Sequence, residues 1–140
     1  MKFWFNDFNV NVNTHSDGWL LHGIGGFQDA ADAYMTIITA PIYRKTNPIV
    51  VERVHTVTAP GATIDVLVTD QGIAVNPQRK DLLNRLNRSE LPIVSIEELH
   101  EKAIKITGKP EIPKTKDNVV ALIEWRDGTI IDAVREIDLS

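Results

Sequence analysis

The stretch Gly23-Ile24-Gly25-Gly26, entered from Leu20-Leu21-His22 and left through Phe27-Gln28-Asp29, combines residue types and spacing that could do chemistry. Glycine opens backbone conformations closed to other residues and lets a second molecule approach the main chain closely. The first turn of a following helix adds unpaired N–H groups and a partial positive charge. Such a corner suits a phosphate, a carboxylate or a developing oxyanion. The same residues also suit a plain tight turn, and glycines alone do not separate the two. A dinucleotide-type G-x-G-x-x-G starting at Gly23 has Gln28 at its last position, with no acidic ribose partner at the usual distance, and the phosphate loop G-x-x-x-x-G-K-[ST] is absent.

Other reactive side chains are sparse around this corner. His22 could act as acid or base, or simply occupy the turn. Asp29 could orient a substrate, yet an acid in the first turn of a helix is also favourable against the helix dipole. Arg44, with Lys45 in a polar stretch bounded by Pro41 and Pro48, could hold a carboxylate or phosphate through its fork; solvation is the equal alternative. His15, His22, His55 and His100 are scattered without metal-ligand spacing, so no metal site is expected. Ser95 precedes a helix start, where capping explains it better than nucleophilic catalysis.

The elements that must position these residues are those of one ordinary domain, spanning 1–140, with 43% apolar and 24% charged residues. Lys plus Arg total 15 against 19 for Asp plus Glu, a formal charge of −4 with no dominant basic patch. That balance argues against nucleic acid and anionic membrane as partners. The absence of cysteine excludes a disulfide framework, a thiolate metal site and a Cys nucleophile. No apolar run is long enough to span a bilayer, and Met1-Lys2-Phe3-Trp4-Phe5 is too short for a secretory signal, so a cytoplasmic protein is expected. Phe3, Trp4, Phe5 and Phe8 crowd the start and require cover, either as an edge strand packed on this domain or against a partner.

Along the chain, Asn9-Val10-Asn11-Val12-Asn13 alternates like a half-buried strand, and Ser16-Asp17-Gly18 turns it into Trp19-Leu20-Leu21 and the glycine corner. A helix is predicted over 28–34, with Asp29 in its first turn, and β-branched residues over 35–40 predict a strand ended by Pro41. Strand character resumes from Ile49 to Thr58, and Ala59-Pro60-Gly61 turns the chain into Ile64-Asp65-Val66-Leu67-Val68-Thr69-Asp70. That run reads as a buried, parallel strand. Gln71-Gly72 leads to a short strand over 73–75, and Leu82, Leu83 and Leu86 mark one face of a helix over 79–86. A short strand at 91–94 precedes the capping box Ser95-Ile96-Glu97-Glu98, whose helix runs to Gly108. Residues 109–116 read as an extended linker. Val119–Trp125 then pairs with Thr129–Val134 across Arg126-Asp127-Gly128, a β-hairpin. The expected fold is α/β, a mixed and largely parallel sheet flanked by helices, with this C-terminal hairpin.

Several strings carry a family resemblance. Phe8-Asn9-Val10-Asn11-Val12, Ser16-Asp17-Gly18, Gly25-Gly26 with Asp29, Ile37-Ile38 with Ala40-Pro41, Thr58-Ala59-Pro60-Gly61, the 64–70 run, Gly72-Ile73-Ala74-Val75-Asn76-Pro77 and Trp125–Asp132 together resemble the C-terminal part of the citrate lyase alpha subunit. That family is similar to the family I CoA-transferases, which have a mixed sheet flanked by helices. The resemblance implies acyl transfer: citrate plus acetyl-carrier protein gives citryl-carrier protein plus acetate. It implies an oligomeric complex with the citrate lyase beta subunit, which cleaves the citryl thioester, and with the acyl carrier protein subunit. It also implies that no cofactor is covalently held here, a CoA-like thioester prosthetic group being carried by the partner.

By the same resemblance, main-chain N–H groups of Gly25 and Gly26 face the thioester oxygen, Gly23, Asn11 and Asp29 contact the CoA-like group, and Arg44 binds substrate. The family's glutamate nucleophile falls at Phe3 by ungapped register, and no glutamate precedes Glu52. Its histidine after the two glycines is Phe27 here, and its Gly and Arg after Arg44 are Lys45 and Thr46. The covalent route is therefore not expected to run in this chain alone. The alternative is a non-catalytic module that binds CoA-like groups or citrate lyase partners.

Overall fold

A computed structural model of the chain describes residues 2–4, 8–11 and 25–140. The turn at Ser16-Asp17-Gly18, the run at Trp19-Leu20-Leu21, and His15, His22 and Gly23 lie outside the described residues.

The 64–70 run forms β7 (Val66–Thr69), the central strand of a three-stranded sheet between β3 (Ile37–Thr39) and β8 (Gly72–Val75). Ile64, Val66 and Leu67 are buried, which is why both pleat faces here are apolar. The partner β3 is parallel, in register Ile37 with Val66, whereas β8 is antiparallel because Asp70-Gln71 turns the chain straight back. Gly72 takes φ +144° at that turn, and a Cβ there would lie 2.6 Å from Val94 Cγ2. The strand expected at 91–94 contributes only a bridge between Ile93 and Ile73, with Val94 N–H donating to the Ile73 carbonyl at 3.0 Å.

A second sheet has the order β2 (Val10–Asn11), β1 (Lys2–Trp4), β6 (Val50–Val51). The aromatic start is thus not an edge: β1 pairs antiparallel with β2 on one side and parallel with β6 on the other. Phe8 is 1% exposed and takes φ 54°, a conformation rare for a bulky residue. The long strand expected over 49–58 shortens to β6, and the rest is irregular. Its buried Thr58 nonetheless bonds the Val10 carbonyl through both its N–H and its hydroxyl.

Arg44 lies not in an open loop but in a tight hairpin, where β4 (Tyr43–Arg44) pairs with β5 (Asn47–Pro48) around Lys45 at φ 55°. A 3-10 turn spans Gly61–Thr63. The helix α2 (Lys80–Leu86) keeps its leucines only half-buried, and α3 (Ile96–Thr107) buries Ile96, Leu99 and Ala103 against β5, β6 and β8. The capping box at Ser95 and Glu98 forms as read, and Gly108 at φ 76° follows the last turn. The final hairpin joins β9 (Thr115–Glu124) to β10 (Ile130–Ile137), so β9 takes in residues expected to be linker.

The fold is mixed α/β in small sheets. Among the described residues parallel pairing joins β1 with β6 and β3 with β7 and adds the isolated Ile73–Ile93 bridge, while the other strand pairs are antiparallel, so the described sheets are mixed and not largely parallel. The short turns at 70–71, 45–46 and 125–129 return the chain directly, which enforces antiparallel neighbours. The apolar core joins Phe8, Val10, Ile38, Ile42, Val50, Ile64, Leu67 and Leu99, with Phe27 and Trp125 packed on it.

Candidate functional site

The helix at the glycine corner, α1, runs Gly25–Ala31. Its described residues reach three positions further toward the N-terminus than the sequence suggests and stop at Ala31, so Gly25 and Gly26 are helical and Asp29 lies beyond the first described turn. The anchors of α1 come from distant parts of the chain. Buried Gln28 donates from Nε2 to the Glu124 carbonyl at 2.8 Å, and Phe27 and Trp125 pack on the common core. From the hairpin tip, Arg126 reaches Asp32 at 3.0 Å and Asp29 at 3.6 Å. At the other end, the Thr36 hydroxyl donates to the Ala30 carbonyl at 3.3 Å.

A chain of polar contacts connects α1 with the Phe8-Asn9 string. Asn9 Oδ1 accepts the Gly61 N–H at 2.8 Å, and the Gly61 carbonyl accepts from Asn76 Nδ2 at 2.9 Å. Asn76, 3% exposed, also donates to the Ile64 carbonyl at 2.7 Å, and its backbone N–H reaches the Asp65 carbonyl at 2.8 Å. Asp65 in turn accepts the Thr36 N–H on Oδ2 at 2.6 Å. Each of these buried polar groups is partnered, as burial requires.

Asp65 also pairs with Arg79, whose other nitrogens grip Asp81 at 2.9 and 3.0 Å. The two carboxylates, Asp81 foremost and then Asp65, raise the guanidinium further above its ordinary range. Hydrogen bonding to Arg79 pulls the Asp81 carboxyl down to about 2. Arg79 and Asp65 were not singled out in the sequence, although a carboxylate inside the apolar 64–68 run signals a buried partner. His100 is half-buried on α3, and burial pushes its imidazole down.

The sequence-selected residues distribute unevenly. Gly25 and Gly26 stand together at the first described residues of α1, Gly26 is exposed, and among the described residues beyond its own helix backbone and its chain neighbours no atom lies within 4 Å of where its Cβ would be. Asn11 is buried at 4% exposure within β2. Asp29 is exposed toward Arg126. Arg44 is exposed opposite Asn47 and makes no ion pair among the described residues, unlike Arg79.

A separate cleft of about 310 Å³ opens between α2, β8 and the start of α3, with Phe8, Val75, Leu83 and Val94 as apolar lining and Glu97 and Glu98 among its walls. Among the described residues no three His, Asp or Glu side chains gather in a way that could hold a metal ion. No described helix is long and apolar enough to cross a membrane.

Fold and corner together define a mixed α/β protein with a glycine-led helix start pinned by a C-terminal hairpin. A family model described as "Citrate lyase, alpha subunit (CitF)" matches residues 5–137, and the chain belongs to that family. It is 52% identical over 132 residues to the citrate lyase alpha chain of Klebsiella pneumoniae, covering 94% of this chain and 26% of that relative. It is 47% identical over 131 residues to the citrate lyase alpha chain of Escherichia coli, covering 93% and 26%. A crystal structure from Streptococcus mutans, described as the alpha subunit of citrate lyase in complex with citrate, superposes with TM-score 0.92 at 44% identity. That likeness covers 98% of this chain and 27% of the other. The chain therefore spans about a quarter of the length of the curated relatives it matches.

Proposed function

We propose that this chain serves the acyl-exchange step of a citrate lyase alpha subunit, in which citrate and acetyl-carrier protein give citryl-carrier protein and acetate. The observation that carries this reading is the 0.92 superposition on a relative described as holding citrate, together with two glycines in the first turn of an anchored helix. The reading takes a CoA-transferase-like chemistry. The CoA-like thioester, carried by an acyl carrier partner, supplies an electrophilic acyl carbon with a thiol leaving group. Gly25 and Gly26 N–H groups stabilise the charge that develops on its carbonyl oxygen. Arg44, exposed and without an ion pair among the described residues, offers a fork for a citrate carboxylate.

The carboxylate nucleophile is not provided at the expected position. Phe3, the residue at that register, lies in β1 opposite Val10 and Val50. The reading therefore has the nucleophile come from alpha-subunit sequence outside this match, with the beta subunit and the carrier completing a cytoplasmic complex. The same Phe3 favours a second reading, a non-catalytic module that binds CoA-like groups or citrate lyase partners.

An acyl-transfer assay of this chain combined with a recombinant polypeptide covering the Streptococcus mutans alpha-chain sequence outside the match, with acetyl-CoA as surrogate donor, citrate as acceptor and a hydroxylamine trap, separates the two. Turnover or a trapped acyl adduct supports the transferase. No transfer and no adduct, with acetyl-CoA still bound, supports the binding module.

A further inference from the structure

We propose that the solvent face of the β9–β10 hairpin is a docking surface for the portion of a citrate lyase alpha chain that lies outside this match, whether linked in one polypeptide or supplied by another. The run Val119-Val120-Ala121-Leu122-Ile123 is apolar on both pleat faces, the pattern of a strand covered on two sides. Only one side is covered. Ile123 and Val134 are buried on the inner face, where Asp132 Oδ2 also accepts the Val57 N–H at 2.7 Å. Away from these, Val119 is 43% exposed, Val120 56%, Leu122 59% and Ile130 49%, with Ala133 across from Leu122, Glu124 across from Ile130 and register shifts beside Val120 and Ile130.

Isolated exposed apolar residues are ordinary, but four of them gathered on one pair of strands, Val119, Val120, Leu122 and Ile130, are not. The Streptococcus mutans relative carries the same fold at TM-score 0.92, yet this fold accounts for only 27% of its chain. The remaining sequence of that chain is the partner the proposal assigns to the exposed apolar side chains of the hairpin. The proposal depends on family membership alone and stands or falls apart from the acyl-transfer reading.

The chain has no native cysteine, so Leu122→Cys and Val120→Cys each accept one environment-sensitive fluorophore, with Ile106→Cys, 56% exposed on α3, as the reference. The probe partner is a recombinant polypeptide covering the Streptococcus mutans sequence outside the match. Its addition is expected to blue-shift the label at 122 and at 120 and leave the label at 106 unchanged. Unlabelled Leu122→Asp, checked for an unchanged melting temperature, is expected to weaken complex formation by about tenfold or more. If that variant does not fold, Val120→Asp carries the same test. No complex, equal shifts at all three labels, or full-strength binding by the hairpin variants overturns the proposal. Label shifts that appear on raising the concentration of this chain alone would assign the face to a second copy, and would also overturn it.

Discussion

Gln28 Nε2 donates to the Glu124 carbonyl oxygen at 2.8 Å, joining the glycine-led helix to the hairpin across 96 residues of sequence. Gln28 is buried, so its removal leaves a carbonyl without its partner. Gln28→Ala is expected to lower unfolding stability by about 1–3 kcal/mol in urea titration. Hydrogen exchange should show faster exchange in α1 than in α3 of the same variant. Unchanged protection in α1 would mean that Arg126 and the aromatic packing suffice to hold it.

Gly72 is required by both its backbone and its surroundings, at φ +144° and with Val94 Cγ2 only 2.6 Å from where a Cβ would lie. Gly72→Ala should therefore destabilise by about 1–3 kcal/mol. Adding Val94→Ala removes the side-chain clash and leaves the backbone strain, so recovery should be partial. Full recovery in thermal melts would show that the conformation at 72 costs nothing.

At the candidate site the two glycines should behave differently. Gly26→Ala enters open space within a helix and is expected to raise stability slightly, by about 0.5–1 kcal/mol. Gly25→Val places a branched side chain where the main chain is proposed to meet the thioester, and should abolish acetyl-CoA binding in calorimetry. Binding at full strength by Gly25→Val would remove the corner from the mechanism.

The Arg79 cluster sets an acid limit. Asp81 has a folded pKa of about 2 against an ordinary 3.8, so its contribution is fully present above about pH 4 and is lost as pH falls toward 2. Asp81→Asn should melt below the parent at pH 6, and the two melting temperatures should converge near pH 2. A gap independent of pH would mean that the substitution acts through packing and not through charge.

Much of the local structure was legible before any contact was known. Ser95 and Glu98 cap α3 in the pattern their spacing announces, and Asp127-Gly128 turns the last hairpin. The apolar 64–70 run forms the central strand of its sheet. Family membership was legible too, because long strings agree in order along the chain. These features depend on residues a few positions apart, and the physics that selects them acts over the same short range.

What the tertiary structure decided involves residues far apart in the chain. The seating of α1 on the hairpin involves Gln28 meeting Glu124, and the burial of Asp65 involves Arg79 and the Thr36 amide. The central position of Lys2–Trp4 depends on Val50 and Val51 arriving beside it in parallel. The antiparallel return of β8 was present in the turn at 70–71, yet the apolar continuity of β7 alone reads equally as parallel. Sequence patterns specify which faces must be buried; only the packed chain specifies what buries them, because that choice is made by contacts with no local signature.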